Sequence, residues 1–555
     1  MKKYILSAIT VVSALVMSSC TDFLDTQPEG TFSTDSYFQN DQQAIDALDA
    51  VYSRLAQENM FGRDIFWEQA AGTDIVWGRT RSYPTLATLV YTGDESPLKG
   101  FWEQCYKYGA RANWVIATLG KKTSFSAVEQ RSMGEAYFLR AVYHFYIAYR
   151  YGTDQLGVPF DRYEDFPDGY SYSIPTQRAS VMENYQLIID DLTKAEELLP
   201  TCETYSDADF GRAHKAAAVG YMAKVYAYWA CWDKTKWQKV IECVDKLKSA
   251  YHRDLLPNYA DNFTDNIKSW NNCEYIFSIP SNGGPNGGGS EFPGVILENK
   301  GWGVFNGWGQ IKPSYDIFEQ FMMDDDKLID ASVGNVRKVR SVLEYGQKFE
   351  FNGETREFYS TSDVEAGFMI NKFMEPFSHK DFTAGDENGM GYVNPNGDWP
   401  TVRINMPLIR FADMLLLRAE AKIMMNQDGT DDINAVRQRA NVQPLDHTAT
   451  MADLYHERRV ELAFEFTDHA YDLKRWHKGG DATIKALAEQ ELTSNPRVRH
   501  YTDRSDPQSD FTIGIYDDPS TYKTGGYDDK CITFPFPSEQ VAKSNGALVQ
   551  NPSWK

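Results

Sequence analysis

Helical periodicity governs the chain from residue 41 to about residue 250, and no other feature of its 555 residues constrains the fold as strongly. Apolar residues recur there at the spacing expected for one face of an amphipathic helix. In Asp41–Gln57 they are Ala44, Leu48, Val51 and Leu55, and in Glu135–Arg150 they are Ala136, Leu139, Tyr143 and Ile147. Further helices are predicted at 100–119, 178–199, 212–231 and 236–250. Because the connections are short, neighbouring helices should pair antiparallel, and we expect a mainly α fold of stacked helix pairs.

The pattern changes after Ile279. Residues 281–310 contain too much Gly and Asn for a helix, and they form too long a segment for a simple connection. A second irregular stretch covers 376–403 and contains Tyr392 and Trp399. Segments of this length usually carry function, so both are predicted to contribute to a binding face.

Helical patterns return near the C-terminus. They are predicted at Pro407–Asn426, Asp431–Ala440 and Met451–His477, and a loop-rich region follows. The expected organisation is a helical half over 41–280, a loop-rich binding region over 281–405, and a helical and loop region over 406–555. We expect the last region to pack on the first as one domain.

The N-terminus has the parts of a lipoprotein leader. Lys2 and Lys3 provide positive charge, Ile5–Met17 is apolar, and Ser18-Ser19 precedes Cys20. The apolar run is shorter than the roughly 20 residues that a membrane-spanning helix needs. Residues 1–19 are therefore predicted to be a signal peptide, Cys20 to carry lipid, and 20–40 to form an acidic tether. The alternative is an ordinary secretory leader with a coincidental cysteine.

Net charge narrows the class of ligand. The chain carries 56 basic and 78 acidic residues, a formal charge of −22, so it should repel nucleic acid. Neutral ligands fit best, although a local pair of arginines can override the global sign. Trp, Tyr and Phe make up 14% of the residues, enough to place rings in polar surroundings as well as in a core.

Known catalytic and metal-binding motifs are missing from the sequence. Gly288–Phe292 lacks the last glycine of a GxSxG elbow, and no Walker A or GxGxxG segment follows a strand. His456–Val460 starts like a zinc-protease helix but has Val460 where the second histidine belongs. No CxxC pair occurs, so the cysteines are predicted to be buried thiols. We assign no catalytic residue, metal or cofactor.

Three carboxylates nevertheless share one helix face, namely Glu457, Glu461 and Glu465. Two carboxyls at suitable separation could serve a glycosidase. Basic residues surround them at Arg458, Arg459, Lys474 and Arg475. Ion pairs that stabilise the helix are therefore the preferred interpretation. The aromatic residues between Tyr137 and Tyr149 are predicted to belong to the core.

The better candidates for function are aromatic rings beside planar polar groups in loops. A sugar ring offers a C–H face on which Trp or Tyr stacks and hydroxyls that Asp, Asn and Arg can bind. Segments 61–97 and 281–310 concentrate such residues, and we predict that they converge on one site. The predicted glycan-binding residues are Asp74, Trp77, Arg79, Arg81, Tyr83, Trp302, Asn306 and Trp308. For each ring, loop packing is the alternative role.

Several segments, taken together, resemble the SusD/RagB family of outer-membrane nutrient-binding lipoproteins. The resemblance rests on Cys20–Asp25 with Pro28, and on 134–152 followed by Val158-Pro159. It continues through 175–200, 211–230, 409–421, 433–440, 457–465 and 534–554. Each segment alone is weak, but eight in the same order are specific, and they run nearly end to end.

The resemblance implies a scaffold of tetratricopeptide-like helix pairs and a glycan site built from loops. It also implies a lipid anchor in the outer membrane, surface exposure, and a SusC-like TonB-dependent transporter as partner. An oligosaccharide or polysaccharide is the expected ligand, with no nucleic acid bound and no chemistry performed. Two alternatives stay open: an extracellular glycan hydrolase, and a lipoprotein of the same scaffold that captures peptides or proteins.

Overall fold

The structure is a computed structural model, and it describes most of the chain. The described residues are 37–77, 84–166, 177–209, 211–265, 270–281, 311–351, 353–358, 367–380, 391–392, 401–466, 469–517, 522–523 and 532–554. Helices dominate them, as the periodicity predicts. No helix among these residues is long and apolar enough to cross a membrane.

The N-terminal half consists of successive helices. They are α1 (Asp41–Tyr52), α2 (Pro84–Thr88), α3 (Ser96–Leu119), α4 (Ala127–Tyr151), α5 (Val181–Leu198), α6 (Lys215–Trp229) and α7 (Lys236–Ser249). Several begin at the polar caps that favour helix initiation: Asn40 accepts from the Gln43 amide, and Ser126 and Glu129 form a capping box. From α3 to α7 each helix packs on the next, so the prediction of a mainly α array is confirmed.

Helix α4 differs from its prediction as an amphipathic helix. The predicted stripe, including Leu139 and Tyr143, is buried, but so is nearly every other residue from Ser132 to Tyr151. Arg140 and Arg150 are 0% exposed. The helix tolerates them because Arg140 pairs with Asp191 and Arg150 pairs with Glu68, each at 2.6 Å. Neighbouring elements therefore enclose α4 on all sides.

The C-terminal half is also helical, with boundaries that depart from the prediction. Two short helices precede it, α8 (Tyr315–Met322) and α9 (Val336–Ser341). Its own helices are α10 (Phe411–Met424), α11 (Thr430–Arg439), α12 (Met451–Leu462), α13 (His469–Gly479), α14 (Ala482–Thr493) and α15 (Ser538–Lys543). The helix predicted over Met451–His477 is two helices, because the chain turns at Phe464, where φ is +64°. The region after His477 was expected to be loops, yet it contains α14 and a β-hairpin.

Short antiparallel strand pairs connect the helices. The strands are β1 (Ile75–Trp77), β2 (Leu156–Pro159), β3 (Arg178–Ser180), β4 (Tyr275–Ile279), β5 (Ile311–Pro313), β6 (Val342–Glu344), β7 (Lys348–Phe351), β8 (Glu354–Glu357), β9 (Phe368–Ile370), β10 (Gly391–Tyr392), β11 (Thr401–Val402), β12 (Met406–Arg410), β13 (Arg497–Tyr501) and β14 (Phe511–Ile515). The start of the helix predicted at Pro407 is therefore wrong, since β12 pairs with β4 there.

One apolar core runs through both halves. It includes Leu48 of α1, Phe138 of α4, Leu416 of α10 and Leu454 of α12. Helix α10 joins the halves by packing on α6 and α7. Cys105, Cys202 and Cys243 are buried thiols as predicted, whereas Cys231 and Cys273 are partly exposed thiols.

Candidate functional site

A short ribbon is formed by β1, which lies within segment 61–97, and β5, which directly follows segment 281–310. The strands pair antiparallel, with Ile75 opposite Pro313 and Trp77 opposite Ile311. Segment 61–97 continues from the Trp77 end of β1, and segment 281–310 arrives at the Ile311 end of β5. Cα atoms of directly paired residues lie about 5 Å apart, so this register places the C-terminal end of segment 281–310 beside the middle of segment 61–97.

The predicted site residues divide by what the structure describes. Trp77 ends β1, and its backbone pairs with that of Ile311. Six of the predicted residues lie outside the described residues, as does the lipidation candidate Cys20: Arg79, Arg81, Tyr83, Trp302, Asn306 and Trp308. Trp67, another ring of the first segment, is fully buried and donates its indole N–H to Asp64 at 3.1 Å. Trp67 therefore belongs to the core.

Asp74 lies beneath the ribbon and not on its surface. Its side chain is buried, 5% exposed, and accepts from Nε of Arg459 at 3.1 Å. Its backbone carbonyl accepts from the Ser314 amide at 3.0 Å, next to β5. The carboxylate predicted to bind a sugar hydroxyl is thus engaged in holding the ribbon to α12.

A network of charges surrounds Asp74. The His469 imidazole lies 2.8 Å from Glu491, and Arg459 reaches both carboxylates. Burial alone would lower the pKa of His469, but Glu491 and Asp74 raise it to about 9. Burial opposes ionisation of Glu491, yet Arg459 and His469 hold its pKa well below the ordinary value. The backbone amide of Thr73 donates to Glu491 at 2.9 Å, which fixes the start of β1.

This network also contains the candidate metal ligands of the described residues. Asp74, His469 and Glu491 present ligand atoms within 4.8 Å of one another. However, a protonated His469 has no lone pair to give a metal, and the Arg459 guanidinium already donates to Asp74. The donor set fits a balanced group of two cations and two carboxylates better than a metal centre.

A small apolar cluster supports the other face of the ribbon. Val76 packs with Val498 of β13 and with Tyr516, and all three are buried. The hairpin of β13 and β14 therefore braces β1 from the C-terminal region. The sequence-based predictions do not include this hairpin, although the alternation in Arg497–Tyr501 is a signal that could have found it.

The start of segment 281–310 is fixed separately. Its first residue, Ser281, donates its backbone amide to the side chain of Asn405 at 3.1 Å. A cavity of about 360 Å³ lies beside this point, lined by Ser278–Pro280, Tyr52 and Arg212 among others. Tyr392 of the second irregular stretch pairs with Thr401 across β10 and β11.

The carboxylates considered for a glycosidase are fully engaged elsewhere. Glu457, Glu461 and Glu465 are at most 1% exposed. Glu461 and Glu465 bind Arg410 at 2.7 and 2.6 Å, and Glu457 binds Arg437 at 3.1 Å. An ion-pair role was predicted, but the partners come from other elements and not from Arg458, Arg459, Lys474 or Arg475. Burial raises the pKa of Glu461, but Arg439, Arg410 and Arg337 outweigh it and lower the pKa to about 2.

Comparisons with known proteins agree on one family. A protein-family model described as "SusD family" matches residues 273–554 of the sequence. A second family model, described as "Starch-binding associating with outer membrane", matches residues 22–227. A SusD-like protein of Bacteroides ovatus is 26% identical over 500 residues, which cover 85% of this chain and 82% of the relative.

Solved structures share the fold. A SusD-like protein of Bacteroides fragilis superposes with a TM-score of 0.70 at 20% identity, covering 93% of this chain and 98% of that one. A structure described as a laminarin-binding SusD-like protein gives 0.67 at 20% identity, covering 93% and 100%.

Proposed function

We propose, because the chain belongs to the SusD family, that it is a cell-surface lipoprotein which binds an oligosaccharide and delivers it to a TonB-dependent transporter. The family model for the N-terminal part is described as starch-binding and associating with the outer membrane. A structural neighbour is named for laminarin binding. These descriptions belong to relatives, and they motivate glycan as the ligand class here.

The observation that carries the proposal is the register of β1 with β5. It pairs Trp77, within the first aromatic segment, with Ile311, which directly follows the second, and so supports their convergence. Rings and planar polar groups from both segments would then lie near the same strand pair. A binding site for a sugar requires such groups to be close together. The proposed stacking rings are Trp77, Tyr83, Trp302 and Trp308, and the proposed hydroxyl partners are Arg79, Arg81 and Asn306.

Asp74 has a different role in this proposal. Its carboxylate is engaged with Arg459 below the ribbon. We infer that it positions Trp77 by fixing β1 and does not touch the glycan. An Asp74 substitution should therefore affect stability together with affinity, whereas a ring substitution should affect affinity alone.

The state of three carboxylates supports binding without chemistry. A glycosidase needs two carboxyls that reach the sugar, and one of them must hold a proton. Glu457, Glu461 and Glu465 are buried, and each is paired with arginine. These three therefore offer no acid to a substrate.

Ring substitution tests the proposed site. The purified mature protein is screened by affinity electrophoresis against neutral polysaccharides, and the ligand found is titrated with Trp77→Ala and Trp302→Ala. Each variant should bind at least about threefold more weakly, because an aromatic contact contributes about 0.5–1.5 kcal/mol beyond its area. Trp114→Ala is the matched control, since that ring packs on Tyr37 and Phe38.

Two outcomes would contradict the binding proposal. One is wild-type affinity in both Trp77→Ala and Trp302→Ala, which would move the site elsewhere. The other is release of reducing ends from the bound polysaccharide that follows this protein through purification, which would make it a hydrolase.

The proposed lipid anchor has a separate test. Cells that express the chain are labelled with a fatty-acid probe, and wild type is compared with Cys20→Ala. Wild type should carry the label and remain with membranes, because thioether-linked acyl chains replace the removed leader. Equal labelling of the two proteins would show that Cys20 is not the anchor.

A further inference from the structure

An open cavity of about 510 Å³ lies where the end of α1 meets α3, apart from the β1–β5 ribbon. Its lining includes the cations Arg54, Arg63 and Lys107 and the amides Gln57, Asn59 and Gln104. None of these residues belongs to the ribbon or to the network around Asp74. We refer to this cavity as the basic cleft.

The acidic residues of the basic cleft already form ion pairs. Glu58 and Asp64 both pair with Arg63, and Asp64 also accepts from the indole of Trp67. Arg63 is therefore neutralised within the lining. Three cations and two carboxylates line the cleft in the described part of the chain, so its net charge there is +1, and Arg54 and Lys107 are the cations that no carboxylate there pairs with.

Arg54 and Lys107 lack a carboxylate partner among the described residues. No ion pair joins either side chain to an acidic group there. The Nε atom of Arg54 is buried without a hydrogen-bond acceptor. No acidic group in the described lining compensates the charges of Arg54 and Lys107, so the cleft favours a ligand that supplies negative charge.

A third cation adds to the local charge. The Arg54 guanidinium, the Lys107 ammonium and the Arg111 guanidinium lie 5.3, 5.6 and 4.7 Å from the ring centre of Tyr108. Three cations thus lie within 6 Å of one aromatic ring, in a chain whose formal charge is −22. Their mutual repulsion makes this region the natural place for an anion.

We propose that the basic cleft binds the carboxylate or sulfate group of an acidic sugar unit. The charges of Arg54 and Lys107 would pair with the oxyanion, and Gln57, Asn59 and Gln104 would meet sugar hydroxyls. The cavity volume lies within the range of small-molecule sites, roughly 300–1,000 Å³. The sugar part of this inference rests on the proposed glycan-binding function, whereas the oxyanion part rests on the cleft alone.

Calorimetric titration of the mature protein tests the basic cleft. The probes are a galacturonate oligomer, its methyl-esterified form, a carrageenan oligosaccharide carrying sulfate, and inorganic sulfate. At least one acidic oligosaccharide should bind, and the esterified form should bind more weakly because it has lost the charge. Raising the salt concentration should weaken binding of the acidic probe.

The variants locate the site. Arg54→Gln combined with Lys107→Gln should weaken binding of the acidic probe about tenfold or more, as expected for lost charged hydrogen bonds. Lys107→Gln alone changes an exposed side chain and guards against misfolding of the double variant. Lys248→Gln removes an exposed charge from α7, outside the cleft lining, and should bind like wild type.

Several results would overturn the inference. They are no binding of any acidic oligosaccharide, wild-type affinity in the double variant, or inorganic sulfate binding as tightly as the oligosaccharide. Trp77→Ala separates the two sites, because it should weaken the neutral glycan and spare the acidic probe. If no neutral glycan binds but the double variant loses the acidic probe, the cleft stands and the ribbon proposal fails.

Discussion

Helix α4 in the N-terminal half and helix α12 in the C-terminal half are both enclosed by other elements, and they bury different side chains. In α4 the interior is mainly aromatic, although Arg140 and Arg150 are also buried there in ion pairs. The ring centroids of Phe138 and Phe277 of β4 lie 4.9 Å apart, with an angle of 69° between the ring planes. Those of Tyr149 and Tyr471 of α13 lie 5.2 Å apart, with an angle of 85°. These edge-to-face contacts need no particular partner chemistry beyond another ring.

In α12 the interior is ionic. Glu461 binds Arg410 of β12 and Arg439 of α11, while Arg458 binds Asp413 of α10 at 2.7 Å. Every one of these partners comes from a different element. The comparison teaches that an apolar interior tolerates approximate neighbours, whereas a buried ion requires a specific partner at hydrogen-bonding distance.

Arg410→Met should have the largest effect of the substitutions that test this contrast. Arg410 is fully buried and binds Glu274, Glu461 and Glu465, and methionine keeps much of its volume while removing its charge. Loss of one partner leaves buried carboxylates uncompensated, so the free energy of unfolding should fall by about 3–5 kcal/mol. Urea denaturation followed by circular dichroism measures this change.

Arg497→Met is the matched control for Arg410→Met. Arg497 also pairs with two carboxylates, Asp316 and Glu319, but its side chain is 37% exposed. Water screens such pairs, so this variant should lose at most about 1 kcal/mol. Similar losses for the two variants would mean that burial does not distinguish the ionic interior of α12.

The same contrast explains how far the sequence predicts the fold. The periodicity found the helices from α3 to α7, with bounds within a few residues except at the start of α4, which begins at Ala127 and not at Glu135, because an apolar stripe is a local signal. It did not find that α4 is enclosed, since Arg140 and Arg150 are polar in sequence and buried only through Asp191 and Glu68. Their partners are distant in the chain, and no local pattern identifies them.

The candidate site shows the same limit. Ring-rich composition identified the segments 61–97 and 281–310, and the pairing of Trp77 with Ile311 supports their convergence. Composition could not separate Asp74 from the neighbouring polar residues. The Asp74 carboxylate lies beneath the ribbon because it binds Arg459 of α12. Arg459 is far along the chain, so composition near Asp74 gives no sign of this contact.

Lowering the pH should change the free energy of unfolding by a smaller amount, and this change also distinguishes α4 from α12. In α4 the group responsible is His144. Its ring stacks on Phe160, with centroids 3.7 Å apart, and its Nδ1 lies 2.8 Å from the Arg140 carbonyl. Burial lowers the pKa of His144 to about 3, from an ordinary value of 6.5. Its stabilising contribution is therefore complete above pH 6.5 and is lost as the pH falls toward 3, because the unfolded chain takes up the proton first.

The ionic interior responds in a different window. The pKa of Glu461 is about 2 in the folded chain and about 4.5 when unfolded, so its contribution is present above pH 4.5 and is lost only as the pH falls toward 2. Between pH 7 and pH 5 the His144 contribution should thus decline by about 2 kcal/mol while that of Glu461 hardly changes.

His144→Phe tests this difference. The free energy of unfolding is measured at pH 7 and at pH 5 for wild type and variant, and the variant should lose about 2 kcal/mol less over that interval. His214 is buried in the same way, with a pKa lowered to about 3, so part of the acid sensitivity should persist. The exposed His252, replaced by Asn, serves as control and should keep the wild-type dependence. If His144→Phe and wild type lose equal stability between pH 7 and pH 5, His144 is not held neutral by the aromatic interior of α4.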